Sequence, residues 1–205
     1  MIDLYYWGTP NGQKISIALE EMALPYRLNP INISEGEQFK AEFLAIAPNN
    51  KIPAIIDHAT VDGQPIHIFE SGAILQYLGR KTGLFYPVNE AKRVEVEQWL
   101  MWQMGGFGPI LGQNHHFNQY AVEKIPYAIE RFINETKRLY GVLNQRLADR
   151  DYVAGEYSIA DMAIFPWAMY YQQQGVEIKD YPHVAAYIDR LQARPAIQKA
   201  LQIQV

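Results

Sequence analysis

Apolar and polar residues change their period partway along this chain. Residues 2–7, Ile-Asp-Leu-Tyr-Tyr-Trp, are mostly β-prone and predict a strand, which runs into the turn-forming cluster Gly8-Thr9-Pro10-Asn11-Gly12. From Gln13 a helix is expected, with Ile15, Leu19 and Met22 on one face, Glu20 and Glu21 turned away, and an end near Leu24-Pro25. A strand falls within residues 26–33, where Pro30 restricts it to an edge or a short run. Residues 34–37 read as a loop and 38–46 as a short helix with Phe39, Phe43 and Leu44 available to bury. Ile52-Pro53 then leads into the short run Ala54-Ile55-Ile56, Asp62-Gly63 supplies a hairpin turn, and Ile66-His67-Ile68-Phe69 returns as the partner strand. A helix with Ile74, Leu75 and Leu78 at helical spacing follows.

After Gly83-Leu84-Phe85-Tyr86-Pro87 the strand signals stop. One helical period carries Val94, Trp99, Leu100, Trp102 and Met104 and is interrupted at residues 105–109, Gly-Gly-Phe-Gly-Pro. A second runs through residues 127–147, with Phe132, Leu139, Leu143 and Leu147 as its stripe. Ser158-Ile159-Ala160-Asp161 has the form of a capping box and opens a buried helix. Tyr181-Pro182 starts a last long helix, and Arg194-Pro195 ends it before a short terminal segment. The order β-α-β-α-β-β-α predicts a mixed four-stranded sheet flanked by helices, as in a thioredoxin-like α/β domain, over residues 1–84. An all-α helical bundle over residues 90–205 completes a two-domain chain.

Composition narrows the chemistry. With 205 residues there is room for a large core or two small ones, and a net charge of −4 argues against nucleic acid or an anionic membrane as the main partner. No apolar run approaches a membrane span and residues 1–7 lack a basic leader, so a cytoplasmic location is expected. The chain has no cysteine, which excludes disulfides, thiolate metal sites and a cysteine nucleophile, so any thiol chemistry must arrive with a ligand. The five histidines form no metal-binding pattern, and no metal is expected.

Residues 48–78 concentrate the candidate chemistry. A proline entering a strand is tolerated where its missing N–H is not needed, and Ile52-Pro53 is a place where a cis bond fits. Glu70-Ser71-Gly72 closes a strand and opens a helix. Ser71 as N-cap leaves backbone N–H groups facing outward at the positive end of the helix dipole, where a carboxylate is favoured, and Glu70 beside it attracts an ammonium. Together they suit an α-amino acid end. The plainer alternative is that Ser71 only caps the helix and Glu70 only ends the strand.

The strand-entry proline, the Glu-Ser junction, the helical second half and the Ser-Ile-Ala-Asp box together resemble a cytosolic glutathione transferase over nearly the whole chain. Thr9-Pro10-Asn11-Gly12, the run from Pro48 to Ile55, the run from Phe69 to Leu75 and that from Gly112 to Phe117 are most similar to the bacterial nu-class, glutathione-dependent disulfide-bond oxidoreductases. The resemblance implies that Thr9 and Asn11 stabilise the glutathione thiolate at the first helix, with plain turn and cap chemistry as the alternative. It implies backbone groups of Ile52, exposed by a cis Pro53, against the cysteinyl part. Lys51 and Gln38 become candidates for the glycyl carboxylate, Lys51 being otherwise a solvated loop lysine. Glu70 and Ser71 take the γ-glutamyl end. Arg131 matches a position used for a ligand carboxylate across a dimer interface, and is otherwise an exposed arginine paired with Glu135. Asn114 either lines the site or bonds a loop. Tyr5 and Tyr6 compete for the thiol-activating role, but alternation leaves one on each face of the sheet.

The expected activity is reduction of a small disulfide by bound glutathione. Conjugation of glutathione to an electrophile, with Trp102, Met104, Phe107 and Phe117 supplying an apolar pocket, is a second reading. A glutathione-binding regulatory module without turnover is a third. A homodimer is expected.

Overall fold

A computed structural model describes residues 1–60 and 62–205, and the chain divides into two compact units. The first contains residues 1–86 and 194–205, the second residues 87–193. No helix of the described residues is long and apolar enough to cross a membrane.

The first unit is built on a four-stranded sheet in the order β2-β1-β3-β4, with β1 Ile2–Tyr6, β2 Tyr26–Pro30, β3 Ala54–Asp57 and β4 Ile66–Phe69. β2 runs parallel to β1, β3 antiparallel to β1 and β4 antiparallel to β3, giving the mixed thioredoxin-like arrangement expected. Leu4 pairs with Leu28 on one side and Ile55 on the other, so the buried alternates Ile2, Leu4 and Tyr6 of β1 lie at the centre of the sheet. The Asp62-Gly63 turn falls in the β3–β4 hairpin, whose residue 61 lies outside the described residues; Gly63 takes a left-handed φ of 73°.

Helix α1 spans Pro10–Glu21 and α3 spans Ser71–Thr82. Between them the expected helix of residues 38–46 is only α2, Ala41–Leu44, preceded by single 3₁₀ turns. Asp57 at the end of β3 is anchored to α3 by the Tyr77 hydroxyl at 2.8 Å and Lys81 at 2.8 Å, and accepts the Ala59 N–H at 2.8 Å. Burial alone would raise its carboxyl; these three donors outweigh that and hold it below the ordinary range.

The terminal segment after Arg194 was expected to belong with the helical half. It is instead a helix, α9 (Pro195–Leu201), with proline at its first position, and it groups with the first unit. The reason is on its faces: Ile197 and Ala200 are fully buried, Lys199 pairs with Glu20 at 2.7 Å, and Arg194 holds both oxygens of Glu21 at 2.6 and 2.8 Å.

The second unit is helical: α4 Glu90–Trp102, α5 Gly108–His115, α6 Pro126–Arg146, α7 Ile159–Ala168 and α8 Pro182–Gln192. The glycine-rich interruption expected at residues 105–109 does not break the chain's course. Gln103–Phe107 widen into a π-helical turn that carries α4 into α5, and His116–Tyr120 do the same after α5. Every residue of α7 is buried, and its start is the capping box read from the sequence. Asp161 accepts from the N–H groups of Ser158 at 2.9 Å and Val153 at 3.0 Å, from the Ser158 hydroxyl at 3.1 Å and from the Tyr187 hydroxyl at 3.2 Å. Its burial raises the carboxyl to about 6 against the pull of those donors.

Candidate functional site

The start of α1 is set by Thr9, whose backbone is extended (φ −106°, ψ 161°) and whose hydroxyl accepts the Gly12 N–H at 3.3 Å. Pro10 follows at the first helical position, so Asn11 and Gly12 belong to the first turn of α1 rather than to a turn preceding it. The helix therefore begins three residues earlier than its apolar period suggested. Gly12 is required there by space: a Cβ would sit 2.3 Å from the Trp7 carbonyl oxygen and 3.0 Å from the Tyr6 ring.

Residues 49–53 approach the same end of the sheet. Asn50 has a left-handed φ of 48°, and the Ile52-Pro53 bond is cis. The Ile52 side chain packs on a small apolar cluster of Phe43, Ala47 and Ala54, so its place in the chain is held from below. On the other side, Glu70 is the N-cap of α3, with φ 69° and ψ 113°, a region that non-glycine residues seldom occupy. Ser71 is thus the first residue of α3 and not its cap, a shift of one from the sequence-based expectation. The cap carbonyl of Glu70 accepts the Ile74 N–H at 2.9 Å, while its side chain makes no capping hydrogen bond.

These elements enclose a pocket of ≈70 Å³ lined by Asn11, Asn49, Lys51, Ile52, Pro53, Phe69, Glu70 and Ser71. Its size suits one end of a small ligand. A carboxylate would meet the N-terminus of α3 and the Ser71 hydroxyl, an ammonium would meet Glu70, and Lys51 brings a second cation. Six of the nine residues named from the sequence line it, and Thr9 stands next to Asn11 at the helix start.

Two do not line it. Gln38 sits on the turn at Glu37–Phe39, where its amide donates to the Ile33 carbonyl at 3.3 Å. Arg131 is on α6 in the second unit, in a groove of ≈570 Å³ with Ile110, Tyr127, Glu130 and Arg138. The anticipated Arg131–Glu135 pair is absent among the described residues, because Arg138 engages both Glu135 oxygens at 2.7 Å.

The competing tyrosines also fall outside the pocket: Tyr6 is buried with its ring beside Gly12, and Tyr5 packs on Phe43. Asn114 bonds inside the second unit, its amide donating to Thr136 and to the Gln174 carbonyl, both at 3.0 Å. Phe107 is core, between Trp102 and Tyr140, and Phe117 stacks on Phe132. Sequence reasoning missed Asn49, Phe69 and the buried Lys14. Asn49 stood beside the chosen Lys51. Lys14 had a signal, a lysine within the run Gly12–Leu19 that α1 buries entirely.

Residues 9–81 match the family model of the glutathione S-transferase N-terminal domain, and residues 128–195 that of the C-terminal domain. Disulfide-bond oxidoreductase YfcG of Escherichia coli is 53% identical over 98% of this chain and 94% of its own length. Disulfide-bond oxidoreductase YghU of the same organism is 43% identical over 97% of this chain and 73% of its own. A crystal structure of a Pseudomonas putida glutathione transferase, with one glutathione disulfide bound per subunit, superposes with a TM-score of 0.95 at 42% identity, covering 100% of this chain and 92% of that one. A Pseudomonas fluorescens family member with two glutathiones bound gives 0.93 at 43% identity, covering 99% and 93%.

Proposed function

The chain belongs to the glutathione S-transferase family, and we propose that it is a glutathione-dependent disulfide-bond oxidoreductase that reduces small disulfides with bound glutathione. The observation that carries this reading is a pocket offering cationic, anionic and backbone groups at the start of α1 in a chain with no cysteine of its own. The naming of the two E. coli relatives and the ligands of the Pseudomonas structures support it.

The reaction consumes two thiols. A glutathione thiolate attacks one sulfur of the substrate, forming a mixed disulfide and expelling the other sulfur as a thiolate, which takes a proton. A second glutathione thiolate attacks the glutathione sulfur of that mixed disulfide, giving glutathione disulfide and the second product thiol. This chain's part is to bind, to orient and to hold the charge. Thr9 donates its hydroxyl hydrogen and Asn11 its amide to the attacking sulfur, next to the positive end of α1, which favours the thiolate. Because the Thr9 oxygen already accepts the Gly12 N–H, its own hydrogen is left to give. Ile52 supplies backbone N–H and C=O to the cysteinyl unit. Lys51 takes the glycyl carboxylate, Glu70 the α-ammonium, and Ser71 with the α3 N-terminus the α-carboxylate. Gln38, turned to Ile33, is left out of this assignment.

We place the enzyme in the cytoplasm, where glutathione keeps thiols reduced, and take it to be a homodimer in which Arg131, whose neighbour Glu135 is already occupied by Arg138, serves a ligand carboxylate of the partner. A monomer by light scattering at working concentration would contradict the dimer. The site assignment is tested by a Thr9→Ala, Asn11→Ala double variant: disulfide turnover should fall by at least tenfold with glutathione binding retained, and unchanged turnover would refute these roles.

A further inference from the structure

A buried lysine stands behind the amino-acid end of this pocket. Lys14, one helical turn into α1, is 2% exposed, and its Nζ lies 3.5 Å from the Ser71 hydroxyl oxygen, to which it donates. A carboxylate that settles at the start of α3 against the Ser71 hydroxyl comes to the same oxygen that accepts from Nζ. An oxygen at about 2.7 Å from the Ser71 hydroxyl is no more than about 6 Å from Nζ, within the range over which an opposite charge favours the ionised form.

We infer that Lys14 is a positioning residue of the γ-glutamyl clamp, the counter-charge behind Ser71, which takes up a proton when a ligand α-carboxylate settles at the start of α3. The inference rests on the assignment of Ser71 to that carboxylate. In the free protein, burial lowers the Lys14 ammonium to about 7, with the Glu70 charge acting in the opposite direction. At pH 8 roughly nine-tenths of such groups are neutral, and a second anion in front of Ser71 reverses that balance.

Most other charges on the elements packed against α1 are held by partners away from Lys14, and Arg80 lies at the far end of α3. Asp3 of β1 is held by Arg27 at 2.7 Å and His58 at 3.0 Å. Glu20 and Glu21, further along α1, are held by Lys199 and Arg194 of α9. Arg80 and Lys81 lie in the last turn of α3, Lys81 on Asp57. The Glu70 charge acts on Lys14.

The test uses S-methylglutathione, which carries the γ-glutamyl end but no thiol to release a proton of its own. Calorimetric titrations at pH 8 in buffers of different ionisation enthalpy count the protons taken up on binding. The wild-type protein should take up about half a proton or more, and a Lys14→Met variant less than about 0.2, with affinity at least tenfold weaker. If the variant folds poorly, lysine ¹³Cε resonances of the wild type give the same answer: Lys14 should titrate near neutrality in the free protein and remain protonated at pH 8 in the complex. Tight binding with no proton uptake, uptake that persists in Lys14→Met, or a Lys14 resonance unmoved by the ligand overturns the inference while leaving the clamp assignment intact. Failure of S-methylglutathione to bind overturns both.

Discussion

Replacing Thr9 separates two duties that its hydroxyl performs at once. As a cap it accepts the Gly12 N–H at 3.3 Å, a long bond, so its removal should cost about 0.5–1 kcal/mol of stability and a few degrees in Tm. As a donor to a bound thiolate it makes a charge-assisted hydrogen bond, for which about 1.5–3 kcal/mol is typical. At 1.36 kcal/mol per pKa unit, losing that donor raises the bound thiol by roughly 1–2 units. The sign follows from which form the bond stabilises: the donor favours the thiolate, so without it the thiol keeps its proton to higher pH. Thr9→Val keeps the shape and removes the hydroxyl, whereas Thr9→Ser keeps both duties. The ultraviolet absorbance of the bound thiolate, followed against pH, reads the shift directly. Thr9→Ser should titrate with the wild type, and Thr9→Val should titrate 1–2 units higher, losing activity most at low pH and regaining it as pH rises. A Thr9→Val midpoint within about 0.3 units of wild type would mean that Thr9 only caps the helix.

Three further perturbations have definite outcomes. Gly12→Ala places a Cβ 2.3 Å from the Trp7 carbonyl oxygen, which is backbone and cannot step aside, so the variant should lose about 3 kcal/mol or more and show it as a lowered thermal midpoint. A midpoint within a degree of wild type would contradict that packing. Asp161→Ala leaves the buried N–H groups of Ser158 and Val153 without their carboxylate, for a loss of about 3–5 kcal/mol and a Tm lower by roughly 6–15 °C; a drop under about 3 °C would show that other acceptors replace it. Lys14 predicts a pH dependence of the unliganded protein. Its folded pKa is lowered to about 7 from the ordinary 10.5, so between these values the unfolded chain binds the extra proton and stability rises with pH. The contribution is at most about 1.4 kcal/mol per pH unit. Urea unfolding at pH 7 and 9 should show this rise in the wild type and lose it in Lys14→Met, and equal slopes in the two would refute it.

Much of the first unit was legible because its signals are local. The β-prone run of residues 2–7, the proline at the entrance to β3 and the Asp62-Gly63 turn each depend on a few neighbouring residues, whereas the strand order β2-β1-β3-β4 rests on long-range pairing that they do not show. The helix starts were harder. An apolar period marks where a helix faces the core, so α1 was read from its first buried run, whereas its true start is fixed by a Thr9 cap and Pro10 that carry no apolar signal. Serine commonly caps a helix, and on that rule Ser71 would be the cap; Glu70 holds that place through a left-handed φ that no composition rule predicts for glutamate. Gly105, Gly106 and Pro109 looked like a break, yet a π-helical turn absorbs the glycines, and Pro109, which has no N–H to give, sits where that wider turn passes into α5. The place of α9 depended on Ile197, Lys199 and Arg194 meeting residues some 170 positions earlier, which lies beyond any local pattern. Lys14 was passed over because a lysine is ordinarily read as solvated, and only its burial against Ser71 gives it a part.

The central claim is that this cysteine-free chain reduces disulfides with glutathione held in the pocket between Asn11, Ile52 and Ser71. The most direct test is steady-state reduction of hydroxyethyl disulfide by reduced glutathione, coupled through glutathione reductase to NADPH oxidation, with an aryl-chloride conjugation assay in parallel. Strong NADPH oxidation with little conjugation is the predicted result. Conjugation that outpaces reduction would move the protein to the general transferases, and silence in both assays with glutathione still bound would leave it a binding module.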